Sequence, residues 1–364
     1  MDRKNQIVLI VEGGGFKSAF TAGILDSFMI NGFDPFHLYL GISGGAMNIT
    51  SYVSRQYKRN INILSAMGEN TNFISIVRFL KGGNYMELKY LLEVTSKEYP
   101  FDTDAANEHL KDAECKVVVT NYETGRAAYL SVKKYGWNKT IEATGTLPVA
   151  TRGYCELAGK KYIDGGLADP LPVKRVYDWG YREIVLLRTN PKDLKPDWNI
   201  ESLYAPFFYK DNPKLQRLVS RNDKIYFRSQ EYISNPPADL KIIQVAPKRE
   251  LKCGVLSNST EYIQDDYRYG LEFGLDNLNE LKTKFPDVSI ADKDQSILND
   301  KDIDIISIAS YDNYHSNQII QAFENGKHVM AEKPLCLNHN EMLEIFEAQK
   351  QNPKVKLSSN LVLR

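Results

Sequence analysis

At 364 residues the chain is long enough for one large α/β domain, or for one domain plus a piece of another. Its composition, 43% hydrophobic and 25% charged, is that of a water-soluble globular protein rather than a membrane-embedded or unstructured one. Lysine plus arginine equals aspartate plus glutamate at 46 each, which excludes a long-range attraction to nucleic acid or to an anionic membrane, so any lipid contact would be local and mostly apolar.

The chain begins MDRKNQIVLIVEGGG, whose apolar run, Ile7 to Val11, is too short for the core of a signal peptide. Nothing elsewhere approaches the roughly 20 apolar residues of a membrane span. The four cysteines are far apart and have neither CxxC nor metal-ligand spacing, so no metal site is expected. A reducing, cytoplasmic location follows as an expectation, with peripheral membrane contact left open.

IVLIVE, residues 7–12, reads as a buried strand of the parallel kind. Gly13, Gly14 and Gly15 follow, and then a helix in which Ala19, Ala22, Gly23, Leu25, Phe28 and Met29 share one face until Asn31-Gly32 ends it. LYLGI leads into Ser43, and the small and apolar segment 44–53 predicts a buried helix. Strands are predicted at KVVVTN, AAYLSV, KKYIDGG, EIVLLRT and KIIQVA, with helices at LPVKRVYDWG and STEYIQDDYRYGLEFGLDNLNELKTKF. The alternation argues for a three-layer α/β/α domain. FISIVRFLKGGNYMELKYLLEV, residues 73–94, reads as ordinary amphipathic helix. The aromatic-rich segment 198–227 is either a flap over a pocket, a lipid-touching surface or an insert packed on the core.

Three short motifs carry chemistry. LYLGISGGAMN places Ser43 in a Gly-x-Ser-x-Gly turn between strand and helix, with Gly41, Gly44 and Gly45 around it. Such a turn exposes a nucleophile at a helix N-terminus, but alone it reads first as a plain strand–helix connection. GGGFKS, residues 13–18, forms a nest of backbone N–H groups that could hold a phosphate or an oxyanion. It lacks the Gly-Lys-Ser/Thr ending of a phosphate loop and does not match Gly-x-Gly-x-x-Gly, which makes an oxyanion hole the better reading. YIDGGLADPLPV sets Asp164 at a strand end before Gly165 and Gly166; alone it would be a turn aspartate.

Taken in this order, GGGxK, GxSxG and DGG resemble the patatin-like phospholipase family, over about residues 7–285. The resemblance implies a three-layer α/β/α fold and a serine lipid acyl hydrolase. It implies Ser43 as nucleophile, Asp164 as general base, and Gly13, Gly14 and Gly15 lining the oxyanion hole. Lys17 would stand where the family has a basic residue, supported by Gly41, Gly44, Gly45, Gly165 and Gly166. No cofactor is implied, and the partner is an acyl lipid or ester. Ser18 departs from the family, which has glycine there. Of the five histidines, His37 precedes the elbow's strand and His109 sits in a charged helical stretch, so a Ser–Asp dyad fits better than a triad. A carboxylate of ordinary pKa near ~4 is a weak base, so this chemistry needs a desolvated Asp164 beside Ser43 and a strong oxyanion hole. A non-catalytic lipid-binding or regulatory protein on the same fold is the alternative.

Beyond a boundary placed near Pro286, DIDIISIAS, SNQIIQAFENGKHVMAEKP and NEMLEIFEAQKQ start a fresh strand–helix pattern. Residues 287–364 resemble the nucleotide-binding domain of glucose–fructose/inositol dehydrogenase-type oxidoreductases, with Lys333 at the lysine of the Glu-Lys-Pro motif. No Gly-x-Gly-x-x-Gly precedes this segment, so an incomplete Rossmann-like fragment without NAD(P) binding is expected. An NAD(P)-dependent oxidoreductase is a third reading of the chain, suggested only by this segment.

Overall fold

The computed structural model describes residues 3–194, 209–256, 259–284, 297–301, 303–310 and 312–359. Two compact units divide the chain, Met1–Val288 and Ser289–Arg364. The boundary expected near Pro286 falls outside the described residues.

The N-terminal unit opens with β1 (Ile7–Val11), α1 (Ser18–Ile30), β2 (Phe36–Ile42) and α2 (Gly44–Val53). Four helices follow: α3 (Arg59–Met67), α4 (Ile76–Leu80), α5 (Leu88–Lys97) and α6 (Thr103–His109). Next come β3 (Glu114–Asn121), β4 (Ala127–Ser131), α7 (Val132–Tyr135), α8 (Trp137–Gly145), β5 (Cys155–Leu157) and β6 (Lys160–Asp164). The unit closes with α9 (Val173–Asp178), β7 (Glu183–Leu187), α10 (Pro213–Val219), α11 (Asn222–Ser234), β8 (Lys241–Val245) and α12 (Thr260–Lys284).

The strands form one sheet in the order β5-β6-β3-β2-β1-β7-β8, with β4 paired to β3 off this path. β3, β2, β1, β7 and β8 run parallel. All five residues of β1 are buried, because this central strand is covered on both faces. Its even positions, Val8 and Ile10, join Leu38, Leu40, Ile184 and Leu186 in a core closed by Val173 and Val176 of α9 and Ile233 of α11. On the other face Tyr39 meets Tyr52 of α2, and α2 packs on α1. The result is the expected α/β/α layering.

Two features of this unit set its frame. β3 holds two strands end to end along one edge: Ile42 of parallel β2 lies opposite Val118, and Asp164 of antiparallel β6 lies opposite Val119. On the helical side, α1 and α12 cross backbone to backbone. A Cβ at Gly270 would stand 1.9 Å from the Phe20 carbonyl oxygen, and one at Gly23 would stand 2.2 Å from that of Tyr267.

Segment 73–94 is not one amphipathic helix. Gly82 takes φ 92°, Ile74 bridges Met86 in antiparallel fashion, and the chain turns between α4 and α5. Two adjacent glycines, free to adopt such a turn, override the apolar periodicity on either side. Strand β5 is a further addition, too short at three residues to show alternation. The aromatic segment is described from Tyr209 onward, where it becomes α10 and the start of α11; residues 195–208 lie outside the described part.

The C-terminal unit has β9 (Ile305–Ile308), α13 (Asp312–Glu324), β10 (His328–Ala331), α14 (His339–Gln351) and β11 (Leu357–Ser359). Its sheet is parallel in the order β11-β10-β9, and Ile308, Ile319, Phe323, Val329 and Ile345 pack into its core. This is a partial Rossmann-like sheet. Among the described residues, no helix is long and apolar enough to cross a membrane.

Candidate active site

Ser43 stands at the C-terminal end of β2 as the residue before α2, with φ 51° and ψ −125°. A non-glycine residue in this region is strained, and the sequence around it makes the strain tolerable. A Cβ at Gly41 would stand 2.4 Å from the Ala46 Cα, and one at Gly45 would stand 2.3 Å from the Val11 carbonyl oxygen, so neither position accepts a side chain. The Ser43 N–H donates to Thr144 Oγ1 at 2.9 Å, and Thr144 Oγ1 donates to the Val118 carbonyl at 2.7 Å. Ser43 is buried, as is Asp164.

Asp164 reaches the same place from the opposite direction, through the end-to-end meeting of β2 and β6 on β3. The Thr120 hydroxyl donates to the Asp164 carbonyl at 2.7 Å, and the Gly166 N–H donates to its Oδ1 at 2.7 Å, which fixes the carboxylate. The chain can turn away here because residue 165 is glycine: a Cβ would stand 2.2 Å from the Val118 carbonyl oxygen.

Ser43 and Asp164 line one cavity of about 210 Å³ together with Gly13, Gly14, Gly15 and Gly166. A Cβ at Gly13 would stand 3.1 Å from the Ser43 Cβ, so the glycine loop lies directly against the serine. Among the described residues, no hydrogen bond uses the N–H of Gly13, Gly14 or Gly15. Leu147, Pro148, Ala150, Leu167, Val255 and Leu256 give the cavity an apolar side, while Glu12, Asn190, Asn222 and Tyr226 give it a polar end.

The expected supporting residues divide. Gly41, Gly44, Gly45 and Gly165 shape the two turns without lining the cavity. Lys17 is directed to Asn190, donating to its Oδ1 at 2.8 Å. Ser18 lies over Gly44: a Cβ at residue 44 would meet the Ser18 Oγ at 2.9 Å. Serine in place of the family's glycine is accommodated because position 44 has no side chain.

Neither histidine of this unit lines the cavity. His37 accepts from the Ile7 N–H at 3.2 Å at the other end of β2, and His109 pairs with Asp34 at 2.9 Å.

A set of residues without a sequence motif anchors the glycine loop. Buried Glu12, directly before Gly13, accepts from Tyr226 OH at 2.6 Å, from the Thr189 N–H at 2.7 Å and from Asn190 Nδ2 at 3.1 Å. Fully buried Arg188 lies 3.8 Å from it and donates to Tyr226 OH at 2.9 Å. Thr189 Oγ1 donates to the Gly13 carbonyl at 2.6 Å. Burial pushes the Tyr226 hydroxyl far above its ordinary range, with Glu12 adding to the shift, so it stays a donor. The one sequence signal for this network was a carboxylate ending an otherwise apolar strand.

In the C-terminal unit Lys333 is exposed just after β10, and the ring of buried His315 meets the Pro334 carbonyl at 2.7 Å. Among the described residues there is no cluster of three or more potential metal ligands.

Comparison with known proteins gives three family matches: Patatin-like phospholipase over residues 9–177, a Domain of unknown function (DUF6363) over 212–285, and an Oxidoreductase family with NAD-binding Rossmann fold over 274–360. The uncharacterized protein YjjU of Escherichia coli is 30% identical over 275 residues, which cover 73% of this chain and 75% of that protein. An uncharacterized oxidoreductase of Schizosaccharomyces pombe is 32% identical over 85 residues, 23% of this chain and 21% of the relative. A crystal structure of an NAD binding oxidoreductase from Klebsiella pneumoniae is 28% identical with a TM-score of 0.19, covering 19% of this chain and 18% of that one. The chain thus spans about a fifth of the length of these two oxidoreductases.

Proposed function

We propose, from the premise that the chain belongs to the patatin-like phospholipase family and so to its hydrolases, that it is a serine lipid acyl hydrolase working through Ser43 and Asp164. The observation that carries this reading is the shared cavity: a strained serine, a buried carboxylate and a glycine loop with uncommitted N–H groups, with neither His37 nor His109 in its lining.

In this reading an ester carbonyl enters with its oxygen toward Gly13–Gly15. Ser43 Oγ attacks the carbonyl carbon while Asp164 takes the hydroxyl proton, and the loop amides together with the N-terminus of α2 hold the oxyanion. Collapse breaks the bond to the leaving alcohol, which receives the proton from Asp164. The resulting acyl-enzyme is then attacked by water, with Asp164 again accepting the proton, and the fatty acid leaves with Ser43 restored. The buried site of Asp164 meets the need for a desolvated base, and its bond from the Gly166 N–H holds one oxygen in place.

Substrate class follows from the walls. A volume of about 210 Å³ is below the roughly 300–1,000 Å³ of pockets that enclose drug-sized ligands, so it suits an ester with the first part of an acyl chain along Leu147, Leu167 and Leu256.

A fluorophosphonate probe tests the reading. Wild type is expected to be labelled and Ser43→Ala is not. Asp164→Asn is expected to fold and to lose about a hundredfold or more in ester turnover. Equal labelling of wild type and Ser43→Ala would remove Ser43 as nucleophile. Near wild-type turnover in Asp164→Asn would remove the dyad alone.

A further inference from the structure

Helix α11 works on two sides. Asn222 and Tyr226, four residues apart, line the serine cavity. Arg221, Lys224, Ile225 and Arg228 recur at i, i+3, i+4 and i+7 and line a second, larger cleft of about 650 Å³. Its other walls are Lys214, Arg217 and Leu218 of α10 and the Thr124-Gly125 turn between β3 and β4.

Five of the nine residues lining this cleft are cationic and none is acidic. All five are exposed, and among the described residues none forms an ion pair with a carboxylate. Asp223, the acidic residue nearest to them on α11, is not part of the lining. Zero net charge over the whole chain therefore conceals a local concentration of five positive charges.

Such a grouping opposes folding. Lys214 with Arg217, Arg221 with Lys224, and Lys224 with Arg228 are like charges at helical i,i+3 and i,i+4 spacing, which repel. Exposed charges without carboxylate partners gain little from packing to offset this, but they converge on a concave surface, where the field of one sign is focused. Three of the five are arginines, whose planar forks bind phosphate oxygens in pairs, and the two lysines add point charges. Leu218 and Ile225 form an apolar part of the wall, which lowers the local dielectric.

We infer that this cleft is a binding site for a phosphate group carrying at least two negative charges, either on a lipid headgroup or on a small soluble phosphate. Both walls formed by helix come from the region 212–285, the domain without an assigned function, and the cleft gives that region a role in ligand binding. Because α11 is shared, a ligand here sits one helix away from Tyr226 and the anchored glycine loop. The inference concerns binding and does not depend on the hydrolytic reading.

The full chain is titrated with inorganic pyrophosphate by calorimetry, and co-sedimented with phosphatidylcholine vesicles with and without phosphatidate, whose headgroup is a phosphomonoester. The same measurements are made on Arg221→Gln/Lys224→Gln/Arg228→Gln and on a charge-matched control, Lys89→Gln/Lys97→Gln/Lys174→Gln. Binding by wild type, weakened about tenfold or more in the cleft variant and little changed in the control, is the expected result. Calorimetric binding of pyrophosphate would assign a soluble source, and binding to phosphatidate vesicles alone would assign a headgroup. No binding in either arm, or equal losses in the two variants, would overturn the inference.

Discussion

Thr144 Oγ1 accepts a hydrogen bond from the Ser43 N–H at 2.9 Å and donates one to the Val118 carbonyl at 2.7 Å, so one buried hydroxyl ties the elbow of β2 to its neighbour β3. Thr144→Val keeps the shape and removes both bonds, leaving a buried donor and acceptor unsatisfied at a cost of about 1–3 kcal/mol. The strained Ser43 backbone is the part released. The variant is expected to unfold at lower urea and to be labelled by a fluorophosphonate about 10- to 100-fold more slowly. A shift in the urea midpoint with unchanged labelling would separate the elbow's geometry from its stability.

Ser18 and Gly44 share one volume. Gly44→Ala brings a Cβ to within 2.9 Å of the Ser18 Oγ and 3.2 Å of the Gly15 carbonyl oxygen, for an expected loss of about 1–2 kcal/mol. In a Ser18→Gly background the same change is expected to cost less, and a double-mutant cycle by chemical denaturation reads the coupling. An additive cycle would mean that Ser18 does not constrain the elbow.

Glu12 and Arg188 are both buried, and their network includes the loop's anchors. Glu12→Gln leaves the Arg188 charge buried without its carboxylate, which is expected to cost about 3–5 kcal/mol. Thr189→Val removes only the bond to the Gly13 carbonyl. It is expected to lower kcat by about tenfold with a smaller change in stability, because it loosens the glycine loop proposed as the oxyanion hole while the Glu12 network stays whole. Steady-state kinetics and a urea titration on the two variants distinguish anchoring from general stability.

Asp26 of α1 is held by Tyr267 OH at 2.8 Å and by the Lys58 N–H at 3.2 Å, yet burial raises its pKa from 3.8 to about 7. The folded state therefore keeps a proton that the unfolded chain releases, and stability falls as pH rises from about 4 to about 7. Above that window the loss is complete, about 4 kcal/mol at 1.36 kcal/mol per unit. Asp26→Asn is expected to flatten this slope and to exceed wild type in stability at pH 8, as read by thermal melts across the range. A wild-type slope of the opposite sign in this window would refute the assignment to Asp26.

Local pattern pointed to Ser43, Asp164 and Gly13–Gly15, which line one cavity, because each lies in a tight turn that only certain residue types can form. Strands such as Ile7–Val11 and Glu183–Leu187 were readable from their apolar runs. What brings the site together was not. Thr144 lies in the last turn of α8 without any periodic mark, and Thr189 and Asn190 reach Glu12 because β7 lies beside β1 in the sheet, with Tyr226 brought there by α11. Strand order is a property of the folded sheet, so contacts across more than a hundred residues leave no trace in spacing. The break between α4 and α5 is the converse case, where Gly82 and Gly83 were visible but the flanking apolar residues suggested continuity.

The glycine-to-backbone crossing of α1 and α12 separates two ideas of what a domain is. The matched patatin-like stretch stops at residue 177, before β7 has been made and before α12 can press on α1. A chain ending there would leave β1, the strand that presents the glycine loop, with its whole β7 side unpaired, turning a central strand into an edge. The helix behind that loop would lose the partner fitted to it at Gly23. The patatin-like match and the folded sheet thus draw their borders at different places in this protein. The smallest piece expected to stand alone runs through α12, so anyone shortening it by family limits would cut through the sheet that holds the serine.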